Sequence, residues 1–103
     1  MGVTEFKQLI KTYFKQVSNL IEFADYMRSG GQTIVLGDYT ISFHDECRDY
    51  DVWYVIYKVE YKDGTIEYFQ QLGTYSSWEG IDMDDEINKV REVQKTITVW
   101  EDV

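Results

Sequence analysis

The chain has 103 residues, about one domain's length, of which 44% are hydrophobic and 17% aromatic. That is too aromatic for a disordered chain, and no apolar run approaches the roughly 20 residues needed to span a bilayer. The formal net charge is −9, from 19 acids and 10 bases, a field that repels DNA, RNA and anionic membranes and draws basic partners.

Residues 4–28 read as one long amphipathic helix. Phe6, Leu9, Ile10, Tyr13, Phe14, Val17, Leu20, Ile21, Ala24 and Met27 recur at spacings of three and four and make one apolar stripe. Thr4 is the expected N-cap, and Ser29-Gly30-Gly31 supplies the stop. Lys7, Lys11 and Lys15 fall on the solvent side; they read as a solvated face, with a basic contact strip as the alternative. They also interrupt the N-terminal apolar stretch, so no secretory signal is expected and a cytoplasmic location is.

After Gly31 the period changes to two. Residues 33–36 and 39–43 predict a hairpin joined at Gly37-Asp38, with Tyr39, Ile41 and Phe43 on one face and Thr40, Ser42 and His44 on the other. An acidic connection follows at residues 45–51. Residues 52–62 form the clearest strand, with Trp53, Val55, Tyr57, Val59 and Tyr61 on one side. Asp63-Gly64 then predicts a tight hairpin to residues 65–72. Counting outward from that turn pairs Tyr61 with Ile66 and Val59 with Tyr68, a surface suited to the helix stripe. Residues 73–88 read as a loop and residues 90–100 as a closing strand. The expected whole is a single α+β domain, residues 1–103: one long N-terminal helix packed on an antiparallel sheet of about five strands.

Little in the chain suggests catalysis. No phosphate-cradling glycine loop, hydrolase elbow or metal-protease helix is present. Cys47 is the only cysteine and His44 the only histidine, so no disulfide and no four-ligand zinc set can form within the chain. Asp82, Asp84 and Glu86 alternate as in a calcium loop. Ile87 then stands where that loop needs glycine and Val93 where it needs a bidentate Glu. No enzyme activity, cofactor or metal is expected.

The acids are unevenly placed, and that carries the functional expectation. Residues 38–86 hold thirteen acids and three bases. Within them, Glu79, Asp82, Asp84, Asp85 and Glu86 form one cluster, and Asp45, Glu46, Asp49 and Asp51 a second row if both loops sit at one end of the sheet. Carboxylates at such spacing can stand in for phosphates in a basic groove, where Lys and Arg otherwise meet nucleic acid. Tyr75 and Trp78, with Tyr50 nearby, are candidate apolar anchors.

Gly73-Thr74-Tyr75-Ser76-Ser77-Trp78-Glu79-Gly80, then acids, then residues 92–101 from Glu92-Val93 to Trp100-Glu101, resemble an ending found in small phage and prophage proteins. Gln94 stands where many of those carry proline, and Trp78 where tyrosine is usual. The resemblance implies a mobile-element origin. A small acidic phage protein is similar in type to the anti-CRISPR proteins, several of which occupy the arginine-lined PAM-reading or DNA-binding surface of a CRISPR effector nuclease. The expectation is thus an inhibitor of a basic nucleic-acid-binding enzyme, a CRISPR effector first in line, acting through a DNA-mimicking surface. A phage assembly component and an immunity-type protein neutralising a basic toxin are the alternatives.

Overall fold

The computed structural model describes residues 1–13, 20–29, 32–78, 80–93 and 100–103. Among them the chain is α+β: helices α1 (Val3–Tyr13) and α2 (Leu20–Arg28), then strands β1 (Thr33–Leu36), β2 (Tyr39–Asp49), β3 (Val52–Tyr61), β4 (Ile66–Ser76) and β5 (Gly80–Val90). The strands form one antiparallel sheet in the order β1-β2-β3-β4-β5, as consecutive hairpins dictate.

The single long helix is corrected to two. The rings of Phe6 and Phe23 meet edge to face at 6.5 Å. In one straight helix seventeen residues would hold them about 25 Å apart. Each helix therefore sets its own phase. Phe6, Leu9, Ile10, Leu20, Ala24 and Met27 are buried as the stripe predicts, but Phe23 is buried and Ile21 is 39% exposed. Tyr13 ends α1, while Phe14, Lys15 and Val17 lie outside the described residues. Thr4 sits inside the first turn rather than capping it, since Phe6 N–H already donates to the Gly2 carbonyl.

The helices cover one face of the sheet. Ile41, Val55, Tyr57, Val59, Phe69, Met83 and Ile87 join the helix residues in one core, and Phe6 stacks on Phe69 with ring centroids 4.3 Å apart. The Gly37-Asp38 hairpin forms as expected, with Leu36 opposite Tyr39 and Gly37 at φ +55°.

The Asp63-Gly64 hairpin forms one residue out of the expected register. Tyr61 N–H donates to the Thr65 carbonyl, Gly64 N–H donates to the Tyr61 carbonyl, and Gly64 sits at φ +90°. This is a three-residue loop with a glycine bulge rather than a two-residue turn. Val59 thus faces Glu67 and Lys58 faces Tyr68. A one-residue slip flips every side chain. Phe69 and Gln71 therefore meet the helices, and Ile66 and Tyr68 turn to the opposite face.

Both acidic "loops" are strand. Asp45, Glu46 and Asp49 belong to β2, which bulges between Phe43 and Asp45 and turns at Tyr50-Asp51. The stretch read as a loop over residues 73–88 is the end of β4 and most of β5. The closing strand expected over 90–100 begins where β5 ends; residues 91–93 are not strand, and 94–99 lie outside the described residues.

At the foot of the sheet Glu67 gathers three donors. The Lys89 ammonium pairs with it, the Met1 amine reaches Oε1 at 2.8 Å, and the Tyr61 hydroxyl donates at 2.6 Å. Burial opposes its charge, but Lys89, the Met1 amine and Tyr61 outweigh that and hold its carboxyl at about 2. A carboxyl depressed in the folded state stabilises fully above its unfolded value of 4.5, and that contribution fades as pH falls towards 2. Allowing for the exposure of Lys89, we expect about 2 kcal/mol, or roughly 10 °C in Tm. Thermal melts of the protein and of Glu67→Gln should differ by that much near neutral pH and converge in acid. A constant offset down to pH 2 would refute it.

Candidate functional site: an acidic edge and a half-buried ladder

The extended backbone of β2 and β5 decides where the acids go, because alternation splits neighbours between faces. Asp45 pairs across from Ile56 on the helix-free face, whereas Glu46 pairs across from Val55 on the helix side. Asp45 accepts the Glu46 backbone N–H at 2.8 Å. Glu46 is internally engaged: Arg28 Nε and Trp53 Nε1 both donate to its Oε2 at 2.9 Å. Burial works against its charge, but the hydrogen bonds from Arg28 and Trp53 hold its carboxyl below the usual range. Glu46 therefore braces α2 against the sheet and is not free to meet a partner.

Tyr75 is also engaged rather than offered. The Arg48 guanidinium lies 3.9 Å over its ring, and Trp53 packs beside it at 5.8 Å. Arg28 in turn lies 5.8 Å from the Trp53 ring. Arg28, Trp53, Tyr75 and Arg48 thus form a ladder on the helix side, two neighbouring rings with a cation at each end. Sequence reasoning missed it because 45–51 and 73–76 were read as loop. A period of two continued from Tyr39, Ile41 and Phe43 would turn Arg48 away; the bulge between Phe43 and Asp45 brings it to the helix side with Trp53.

β5 keeps its acids exposed. Met83 and Ile87 are buried while Asp82, Asp84 and Glu86 face solvent. Among the described residues none of these three forms an ion pair, and Asp84 Oδ1 accepts the Glu86 backbone N–H at 2.8 Å. The strand is irregular here: Gln71 faces Ile87 and Gly73 faces Met83, so residues 84–86 lie opposite Leu72 alone. Gly73 permits this close approach, since a Cβ there would lie 2.9 Å from the Asp82 carbonyl and 2.8 Å from Met83 Sδ.

The two acidic segments do share one end of the sheet. Asp49 faces Val52, Val52 faces Thr74, and Thr74 faces Asp82, so Asp49 and Asp82 occupy one cross-strand row. Three strand spacings separate them, about 14 Å. The two turns sit side by side, joined by the Tyr75 N–H donating to the Asp51 carbonyl at 2.7 Å. Asp51 is exposed, as are Trp78 (92%) and Tyr50 (88%). Tyr50 also holds φ +56°, a left-handed backbone that costs a non-glycine residue about 1 kcal/mol or more. Asp85 lies on β5, its backbone alone described, as for Asp49; Glu79 is outside the described residues.

Among the described residues, no three His, Cys, Asp or Glu side chains gather to hold a metal ion. No helix among them is long and apolar enough to cross a membrane. No protein-family model, curated protein or solved structure matches the chain.

Proposed function

We propose that this chain is a binding protein, not an enzyme, that inhibits a basic nucleic-acid-binding enzyme by offering β5 as a substitute for a phosphate strand. A CRISPR effector nuclease is the first target class. The observation that carries the reading is Asp82, Asp84 and Glu86 at alternate positions of one edge, exposed and free of ion pairs among the described residues. On regular strand, as from Asp82 to Asp84, alternate residues are about 7 Å apart, close to the separation of successive phosphates along one nucleic-acid strand, and Glu86 follows across the bulge. Asp51 extends the charge to the neighbouring turn, and Tyr50 and Trp78 supply exposed aromatic area of the kind that anchors interfaces. Asp45 contributes from the opposite edge of the helix-free face. Glu46 and Tyr75 have no contact role in this reading; they hold the frame.

The test is DNA cleavage by a panel of RNA-guided nucleases, with the protein added before or after target DNA, at low and high salt. Inhibition should require prior addition and weaken as salt rises, since the contact competes with phosphates. The Asp82→Lys/Glu86→Lys variant spares the Asp84 hydrogen bond. It should keep its Tm within a few degrees and lose inhibitory potency by at least about tenfold per reversal. Undiminished inhibition by that variant would sink the proposal.

A further inference from the structure

β alternation leaves a second face of the sheet that neither described helix covers. Tyr54 and Ile56 of β3 and Tyr68 and Leu72 of β4 lie on it, half-buried, with Tyr54 directly opposite Leu72. None of the four belongs to the core formed with the helices. At the end of this strip away from the Tyr50-Asp51 turn, Ile56, Tyr68 and Val90 line a cavity of about 240 Å³ together with His44, Asp45 and Arg91. That is room for one large apolar side chain.

The strip is flanked by acid on both sides. Asp45 borders it on β2, and Asp82 and Asp84 border it on β5. The flanks are three strand spacings apart, about 14 Å, and an α-helix with its side chains measures about 10–12 Å across. A helix laid along β3 and β4 would bury its apolar stripe between the flanks and place its edge residues over the acids. A second copy of this chain would bring acid against acid, and nucleic acid would be repelled in the same way.

We infer that this open face docks a basic amphipathic helix of the partner, apolar stripe on Tyr54, Ile56, Tyr68 and Leu72, one anchor in the cavity, and Lys or Arg over the acidic flanks. The inference rests on the reading above in that the partner is basic. It adds the apolar seat, which the acidic edge alone does not require.

The experiment follows amide shifts of the full chain on titration with three synthetic peptides. One is helical with a leucine stripe flanked by lysines, one has the same residues scrambled, and one keeps the lysines but replaces leucine by alanine. The leucine–lysine peptide should shift residues 52–56 and 68–72 and bind at least about tenfold tighter than either control, a gap of about 1.4 kcal/mol. Ile56→Asp, which leaves the core untouched, should remove that advantage; Tyr54→Glu is the second variant should Ile56→Asp fold poorly. Equal binding of the scrambled or alanine peptide, with shifts confined to β5, would overturn the inference and leave the acidic-edge reading standing. Open-face binding by the leucine–lysine peptide, beside nuclease inhibition unchanged in Asp82→Lys/Glu86→Lys, would support the seat while removing the phosphate-substitute reading.

Discussion

Phe6→Ala should lower stability by about 4 kcal/mol, a fall in Tm on the order of 20 °C. Phe6 is fully buried and touches three other rings: it stacks on Phe69 at 4.3 Å, and its centroid lies 6.1 Å from Tyr57 and 6.5 Å from Phe23. It is therefore the point at which α1, α2 and the sheet all meet. Truncation removes its transfer free energy and leaves a cavity that three separate elements would have to move to fill. Ile21→Ala, on the exposed side of α2, should cost less than about 1 kcal/mol. The pair discriminates between the two packings. One continuous helix would keep Ile21 within the apolar stripe and leave Phe23 beside it, so comparable losses at Phe6 and Ile21 would refute the two-helix arrangement. Differential scanning calorimetry of the three proteins is sufficient.

What was legible in the sequence was the pattern that hydrophobic residues write. Trp53, Val55, Tyr57, Val59 and Tyr61 announce a strand and its inward face, and they occupy that face. Leu36-Gly37-Asp38-Tyr39 announces a two-residue hairpin and forms one. The α+β class followed from those signals. What was not legible depended on polar residues doing structural work. β5 reads as loop because Asp and Glu fill its outward positions and only Ile81, Met83 and Ile87 point inward, across an irregularity that breaks the period. The Asp63-Gly64 dipeptide fits both a two-residue and a three-residue loop, and only the hydrogen bond of Tyr61 N–H to Thr65 separates them. That single residue moves Tyr68 from the expected core to the open face. The helix stripe failed for a different reason: two short helices can each satisfy a 3.6 period that looks continuous when written in line.

The candidate site was legible as composition and illegible as geometry. Nine acids and two aromatics were singled out, and the strands then sorted them. Asp82, Asp84 and Glu86 share an edge, Asp49 and Asp82 share a row, and Glu46 and Tyr75 are drawn into contacts with Arg28, Trp53 and Arg48. Charge counting cannot make that division, because a carboxylate bonded to an arginine and one facing water contribute the same to a sum.

The second large effect is expected at Gln71, the one buried polar side chain of the described core. Its Oε1 accepts the Tyr57 hydroxyl at 2.8 Å, and its Nε2 donates to the carbonyls of Leu20 at 2.8 Å and Asp84 at 2.7 Å. One amide thus ties the start of α2 and the irregular stretch of β5 to the middle of the sheet. Gln71→Leu keeps the volume and strands three partners: a fully buried hydroxyl and two carbonyls. At about 1–3 kcal/mol for each unsatisfied buried group, with some recovery through relaxation, we expect a loss of about 4 kcal/mol. Tyr57→Phe removes one of those partners, so the Gln71→Leu/Tyr57→Phe double variant should be less destabilised than the two single variants summed, by about 1 kcal/mol. Strict additivity would mean that the network is not closed as described. The same substitution should also weaken inhibition in the nuclease assay at temperatures where the variant remains folded. Releasing the Asp84 carbonyl frees the backbone that sets the spacing between Asp82 and Glu86, and carboxylates that are free to move lose preorganisation for a basic groove. A variant that is destabilised yet equally inhibitory when folded would show that the partner does not read the geometry of β5 but only its charge.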